Sequence, residues 1–368
     1  MFVFVCTGCG ADLTAPLSQV ELPVHAHQSY GNGLQLPVLM EPGTFAVEPE
    51  PWGPPWRRWE DTDPDEAEAR GIYAPVGVLS DGAPGAIAVA PGDVRGTRLL
   101  PELRGGACCG IAGGDGPNMV CTACGLPVAT RIDDCSLWQT VWLAPDAVHR
   151  LPVDNAVPLS WEELTAEREG TPPFGPMARW GASHEPYRYW LWSPVWEAAA
   201  GRALAHLLVA SQGDPVSVPD GLAGEVFQRT LDTLLPAGPP ARRAVLAGPG
   251  QRASDPAADI LLVPTHPQTG ELWAPEGPSA AAYLVPLPLG IWLRLAFPAP
   301  HLPLPVLGNM PADVLRDDPI VPRPRSLFAA DGRSFQETLA RLPAARSPWL
   351  REILDSLTQK WHGRVFFQ

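Results

Sequence analysis

Residues 5–14 read VCTGCGADLT, and residues 120–129 read VCTACGLPVA. Over their first six positions the two stretches differ only at Gly8 and Ala123, so Val, Cys, Thr, Cys and Gly recur in the same order. Each copy has the form of a metal-binding knuckle. Cys-x-x-Cys bends the chain so that two thiolates reach one metal at about 2.3 Å. A glycine after the second cysteine permits a positive φ, which turns backbone N–H groups toward the sulfurs. An apolar stretch leads into each copy, Phe2 to Val5 and Met119 to Val120. Two facing knuckles complete a tetrahedral donor set of Cys6, Cys9, Cys121 and Cys124. The pattern predicts one structural zinc there, with iron as the competing metal.

In these two knuckles the sequence resembles zinc-ribbon and rubredoxin-like proteins. The resemblance extends no further, and the stretch between Cys9 and Cys121 is longer than those families usually insert. The longer sequence resembles proteins of high-GC actinobacteria, which implies no activity. Two other arrangements compete. In one, Cys109, Cys121, Cys124 and Cys135 form a local site and Cys6 and Cys9 pair with His25 and His27. In the other, the knuckle cysteines are buried thiols without a metal.

Working outward, the 368 residues suggest two domains. Hydrophobic residues at 45% and 14 Trp argue for a folded chain with a sizeable core. The 46 Pro and 35 Gly argue for long, stiffened connections. Lys360 is the only lysine, and Ala, Pro, Gly and Arg dominate, as in a GC-rich genome. The net charge of −14 and the lack of any basic run argue against nucleic acid and anionic membranes as partners. The start, Met1-Phe2-Val3-Phe4-Val5-Cys6, has no basic segment and too short an apolar run for a signal peptide. The apolar region from Ala280 to Leu293 is broken by Pro286, Pro288 and Gly290, so it reads as no membrane span. Seven cysteines without an export signal point to reduced thiols in the cytoplasm.

The class expected is α+β, with a β-rich zinc-binding domain over 1–150, a packed linker with one helix over 151–195, and an α+β domain over 196–368. Strands are predicted at 2–6, about 20–26, 86–90 and 136–143, with a short helix at Pro64–Arg70. Ser160-x-x-Glu163 is a capping box that opens the linker helix, and Gly170 is its expected stop. Ser193-Pro194 opens a helix with Trp196, Ala200, Leu204, Leu207 and Leu208 on one face, ended by Gly213. A second helix is predicted from Pro219 to Leu235, and a buried strand at Asp259–Val263. Ile291, Leu293, Leu295 and Phe297 alternate with Trp292, Arg294 and Ala296, which predicts a strand. Two helices follow, opened by Ser334-x-x-Glu337 and by Ser347-Pro348. No long βαβ repetition is evident.

Other constellations carry less chemistry. His25 and His27, at i and i+2 of a predicted strand, share a face and could flank an active site, but no third ligand is evident. Asp133 and Asp134 precede Cys135 and disfavour its thiolate, so Cys135 reads as structural rather than nucleophilic. Cys108 and Cys109 read as packing residues in a flexible glycine-rich loop, Gly105 to Gly116, which lacks phosphate-loop spacing. The acidic run Glu60 to Glu68 reads as a helix start, with Asp63 as cap and Pro64 next. Trp52, Trp56 and Trp59, interleaved with Pro54, Pro55, Arg57 and Arg58, could grip a partner or a sugar by stacking, or equally cover the core of a small zinc domain. The function expected is that of a non-catalytic zinc protein acting through protein–protein contact. The rival is an enzyme with a structural zinc and an active site at the domain interface near His25 and His27.

Overall fold

The computed structural model describes residues 1–30, 34–154, 157–179, 187–251, 258–298, 324 and 326–361. The fold mixes helices with several sheets, as the sequence leads one to expect of an α+β protein. Strand Phe2–Cys6 pairs antiparallel with Val148–Pro152, so residues far apart in the chain close the first sheet. Beside it lies a seven-stranded sheet. Its order is Ser18–Gln19, Thr44–Val47, Ile87–Val89, Thr140–Leu143, Pro127–Ile132, Met119–Cys121 and Thr97–Leu99. Only the first pair in that order is parallel.

The strands are short because Pro and Gly interrupt them, and their inward residues build one core. Phe4, Leu13, Leu17, Phe45, Val128, Val141 and Leu143 are almost fully buried in it. Phe4 meets Phe45 edge-on, with ring centroids 5.0 Å apart. Cys6 and Cys121 belong to the same core, so both knuckles are anchored from beneath.

The C-terminal half is built differently. Val216–Ser217, Arg242–Leu246, Ile260–Thr265 and Tyr283–Pro288 form a four-stranded, wholly parallel sheet in chain order. Parallel strands need covered connections and are buried on both faces, so they read as unbroken apolar runs. Ile260–Thr265 fits, being buried along its whole length. Ile260 and Leu262 face the large core, while Leu261 and Val263 face a smaller one with Ala247. Helix Pro194–Ser211 packs on Tyr283–Pro288 and on helix Gly332–Arg341. Ala67, Ile72, Ala74, Val76 and Leu79 join this same core, although they precede the knuckle at 120 in sequence.

Several expectations need correction. Ile291–Phe297 is not a strand; Leu289–Ala296 is a helix. Ile291 and Leu295 lie at i and i+4, so the same apolar letters satisfy both periods. Trp292 is fully buried and donates from Nε1 to the Leu262 carbonyl at 3.1 Å, which a strand alternating outward would not allow. No strand forms over 20–26: the strand there is Ser18–Gln19, Pro23 cannot donate to a ladder, and Val24–His27 turns instead. The linker helix spans Trp161–Thr165 with both halves of the capping box present, but it stops well before Gly170. Gly170 meets a different demand: a Cβ there would lie 2.5 Å from the Arg294 backbone nitrogen. The segment expected to run as one helix from Pro219 starts at Leu222 and contains a π-helical turn, Gly224–Gln228, before Arg229–Leu234. Asp331, not Ser334, caps helix Gly332–Arg341, accepting from the Ser334 N–H at 2.7 Å. A hairpin of Phe174–Arg179 with Tyr187–Trp192, absent from the sequence reading, follows the linker helix.

Candidate metal centre

Each knuckle is the turn of a hairpin. After strand Phe2–Cys6 the chain reverses and returns alongside it, with bridges Val5 to Asp12 and Phe2 to Leu17. The second knuckle joins Met119–Cys121 to its antiparallel neighbour Pro127–Ile132. The two turns have the same internal hydrogen bonds. Cys6 N–H donates to Ala11 and Gly10 N–H to Cys6, at 2.9 and 2.8 Å. Cys121 N–H donates to Leu126 and Gly125 N–H to Cys121, both at 2.9 Å. Gly10 and Gly125 have φ of +74° and +80°, the left-handed conformation that the repeat predicts. Repeated sequence has thus become repeated backbone geometry.

This geometry brings the four knuckle cysteines together. Their Sγ atoms all lie within 4.8 Å of one another. The short contacts cross between knuckles: Cys6 to Cys124 at 3.5 Å and Cys9 to Cys121 at 3.7 Å. Cys6 and Cys121 are buried, while Cys9 and Cys124 face solvent. Backbone N–H groups point at the sulfurs, from Ala11 to Cys9 and from the equivalent Leu126 to Cys124. Burial opposes ionisation of Cys121, but N–H groups of Cys124 and Ala123 overcome it and bring this thiol down to about 7. The Leu126 N–H favours the Cys124 thiolate, yet the neighbouring thiols, Cys6 first, push it up to about 12. One thiol of the group ionises readily and its neighbours resist the next ionisation, so further thiolates need a cation to share their charge.

A second group lies apart from the first. Cys108, Cys109, Asp134 and Cys135 also have their donor atoms within 4.8 Å of one another. The competing arrangement, in which Cys109 and Cys135 join Cys121 and Cys124, is therefore not the one formed. Cys109 and Cys135 sit with Cys108, whereas Cys121 and Cys124 face Cys6 and Cys9. The electrostatic argument made for Cys135 falls on Cys109. The Asp134 carboxylate accepts from Cys109 Sγ at 3.0 Å, and this bond is the main reason the Cys109 thiol is pushed up to about 12. Cys108 and Cys109, expected as packing residues, are both exposed.

The histidines do not form a pair, and among the described residues neither joins a cysteine group. His25 is buried against Trp138 with ring centroids 4.3 Å apart, and burial pulls its pKa down to about 4. Its Nδ1 has no hydrogen-bond partner among the described residues. His27 turns the other way. It stacks on Trp52 at 3.4 Å, lies parallel to Trp142 at 5.6 Å, and its Nε2 pairs with the buried Glu48. His27, Glu48, Trp52 and Trp56 line a cleft of about 470 Å³ together with Arg202, His206, Arg333 and Glu337. The tryptophan run is thereby divided. Trp56 stands exposed beside Trp52, while Trp59 packs into the C-terminal core. The acidic run begins a helix as expected: Asp63 Oδ1 accepts from Asp65 N–H, and Glu66 pairs with Arg57.

Among the described residues no helix is long and apolar enough to cross a membrane. No protein family, curated protein or solved structure matches the chain.

Proposed function

We propose that this is a non-catalytic zinc protein that acts through protein–protein contact, with one structural zinc held by Cys6, Cys9, Cys121 and Cys124. The observation that carries the zinc is the pair of cross-knuckle contacts at 3.5 and 3.7 Å. A tetrahedron with zinc–sulfur bonds of about 2.3 Å has edges of about 3.8 Å, close to those separations. Four thiol donors leave no open coordination position, which favours a structural role over catalysis. The matching N–H bonds to Cys9 and Cys124 are the outer shell such a site needs. The zinc would clasp the N-terminal hairpin to the hairpin at 119–132. In this reading, residues 1–150 form the zinc-dependent part except for 67–79, which pack in the C-terminal core; 151–195 are the linker and 196–368 the metal-independent part. Exposed Trp56, beside Trp52 at the cleft mouth, is the surface offered to a partner.

Elemental analysis tests the metal. Protein prepared without chelator and dialysed against a weak one should retain one zinc per chain, lost in Cys6→Ser and Cys124→Ser. Iron, or no metal, would overturn the assignment. Pull-down from native extract tests the contact: a partner retained by the wild type should be lost from Trp52→Ala/Trp56→Ala with zinc content unchanged.

The enzyme reading is kept for one observation, the His27–Glu48 pair facing an arginine-bearing cleft. A carboxylate orienting an imidazole is an arrangement suited to general base chemistry. His25 has no part in it, being packed on Trp138. A small molecule that stabilises the wild type against heat but not His27→Ala would favour this reading over protein contact.

A further inference from the structure

We propose that Cys108, Cys109 and Cys135, with the Asp134 carboxylate, form a second metal site that takes a zinc ion more loosely than the knuckle site. The cluster is assembled by the glycine-rich stretch and is independent of the knuckles. The stretch closes on itself through Ala112 N–H to the Arg104 carbonyl at 2.9 Å and Gly105 N–H to Asp115 Oδ2 at 2.7 Å. It then docks on the turn after Pro127–Ile132 by a reciprocal bridge. Ile111 N–H donates to Asp133 at 3.0 Å, and Asp133 N–H donates back at 2.8 Å. Glycine is required at this junction, since a Cβ on Gly110 would lie 1.9 Å from the Asp133 carbonyl oxygen. The loop expected to be flexible is therefore pinned where it presents Cys108 and Cys109 to Cys135.

The donors are arranged rather than merely near one another. Asp134 Oδ2 accepts from Cys108 N–H at 2.9 Å, and Oδ1 accepts from Cys109 N–H at 2.8 Å. These bonds fix the carboxylate between the thiols and still leave it lone pairs for a cation. Cys135 N–H donates to Cys109 Sγ at 3.3 Å, the same outer-shell bond that the knuckles make. Asp133 is engaged elsewhere, its Oδ2 paired with Arg131 at 2.9 Å, so the site takes its acid from Asp134 alone. Cys108 and Cys135 sulfurs stand 3.2 Å apart. A disulfide between them, at about 2.05 Å, would use two donors and strand Cys109 and Asp134. A tetrahedral cation uses all four, and three thiolates select zinc over calcium or magnesium.

The looser grip follows from exposure. Cys108 and Cys109 face solvent, and among the described residues this cluster joins no hydrophobic core of the kind that holds Cys6 and Cys121. Water and competing chelators reach its metal directly.

Metal titration of the full chain, stripped and reduced under anaerobic conditions, tests the proposal. Cobalt(II) is the optical probe and zinc the competitor. The wild type should bind two equivalents, the second at least tenfold more weakly than the first. Cys108→Ser/Cys135→Ser should bind one, with the first step unchanged, and that retained step reports that the variant is folded. Asp134→Asn keeps the side-chain shape and should weaken only the second step, by at least the roughly 10–100-fold that loss of a ligand's hydrogen-bond partner costs, since a ligand itself is lost. A single equivalent in the wild type would overturn the proposal, as would two in the double variant. So would a Cys108–Cys135 disulfide, read by mass as the loss of two hydrogens on air exposure, that forms as readily with one equivalent of zinc bound as with two.

Discussion

The N-terminal sheet is made of strands two to six residues long, joined by proline and glycine turns and capped by cysteine hairpins. The C-terminal sheet is parallel, with a central strand buried on both faces and helices packed on it. The difference is one of where cohesion comes from. Short strands order many residues for few apolar contacts, and ordering a backbone costs about 1–2 kcal/mol per residue. A region of that kind gains most from a cross-link. The parallel sheet has its own cross-chain burial: Trp196, Phe227, Trp292 and Phe335 are nearly inaccessible in one continuous core.

Metal removal is the largest lever on this contrast. If Cys9 and Cys121 share a zinc, the chain between them, a sequence separation of 112, forms a closed loop. Closing so long a loop costs roughly 4 kcal/mol, whereas structural zinc supplies about 10–16 kcal/mol in small peptides. Hydrogen exchange with a strong chelator should therefore show Phe2–Cys6, Met119–Ile132 and Val148–Pro152 losing protection. Pro194–Ser211 and Ile260–Thr265 should keep it. The sharper expectation concerns residues 67–79. They precede the second knuckle in sequence but pack in the C-terminal core, so they should stay protected with it. Equal loss across the chain would dissolve the contrast. Loss confined to Cys121, with Phe2–Cys6 protected, would mean that the knuckles share no metal.

The reverse perturbation comes next in size. Trp292→Ala removes a fully buried indole and its bond to Leu262, and aromatic-to-alanine changes in cores cost about 3–5 kcal/mol. Denaturant unfolding followed at the C-terminal helices should shift by that amount, while zinc loaded at the knuckles should stay bound. Loss of the zinc along with the C-terminal fold would show that the two regions unfold as one.

The same contrast explains what could be read from sequence. The knuckles were legible because a short repeat with fixed spacing names its own geometry, down to the positive φ at Gly10 and Gly125. The helix starts at Asp63, Ser160 and Ser193 were legible because capping and proline placement are local chemistry. The second cysteine cluster was not. Cys108, Cys109 and Cys135 meet through the Ile111–Asp133 bridge, a long-range contact with no spacing signature. Helix Leu289–Ala296 was misread because a short apolar run buried on more than one side carries no unique period. The cleft joining His27 and Glu48 to Arg202 and Arg333 was invisible for the same reason: its walls come from opposite ends of the chain.

The seam between the regions is also sensitive to pH. The Tyr30 hydroxyl, from the N-terminal part, donates to the carboxylate of Glu197 on helix Pro194–Ser211. Burial, with Asp331 adding to it, pushes Glu197 from 4.5 up to about 7. A carboxyl raised in the folded state binds its proton more tightly there than in the unfolded chain. Its contribution is thus complete below about pH 4.5 and is lost as pH rises to about 7, on the order of 3 kcal/mol in all. His25 acts in the opposite sense: burial lowers it from 6.5 to about 4, so its contribution is present above 6.5 and lost as pH falls. The difference in stability between wild type and Glu197→Gln isolates the first effect. It should shrink the advantage of the wild type steadily between pH 4.5 and 7. A flat difference would mean that Glu197 stays charged at the seam.

The smallest effect asks to which region the linker belongs. Ser160 caps helix Trp161–Thr165, its Oγ accepting from the Glu163 N–H at 3.3 Å and its own N–H donating to the Glu163 carboxylate at 2.7 Å. Around this helix the contacts run toward the C-terminal part. Trp161 meets His266 edge-on at 5.1 Å, His266 Nε2 donates to the Leu159 carbonyl at 2.9 Å, and Leu159 N–H donates to Gln268 at 2.7 Å. No comparable bond ties the helix to the knuckles among the described residues. Ser160→Ala should cost about 1 kcal/mol, the usual value of such a cap. Hydrogen exchange should register that loss at 161–166 and at the facing residues 265–272, while the knuckle hairpins keep wild-type protection. If chelation alone released residues 161–166 to the same extent, the linker would be held by the metal instead, and the C-terminal region would begin later than its contacts with His266 imply.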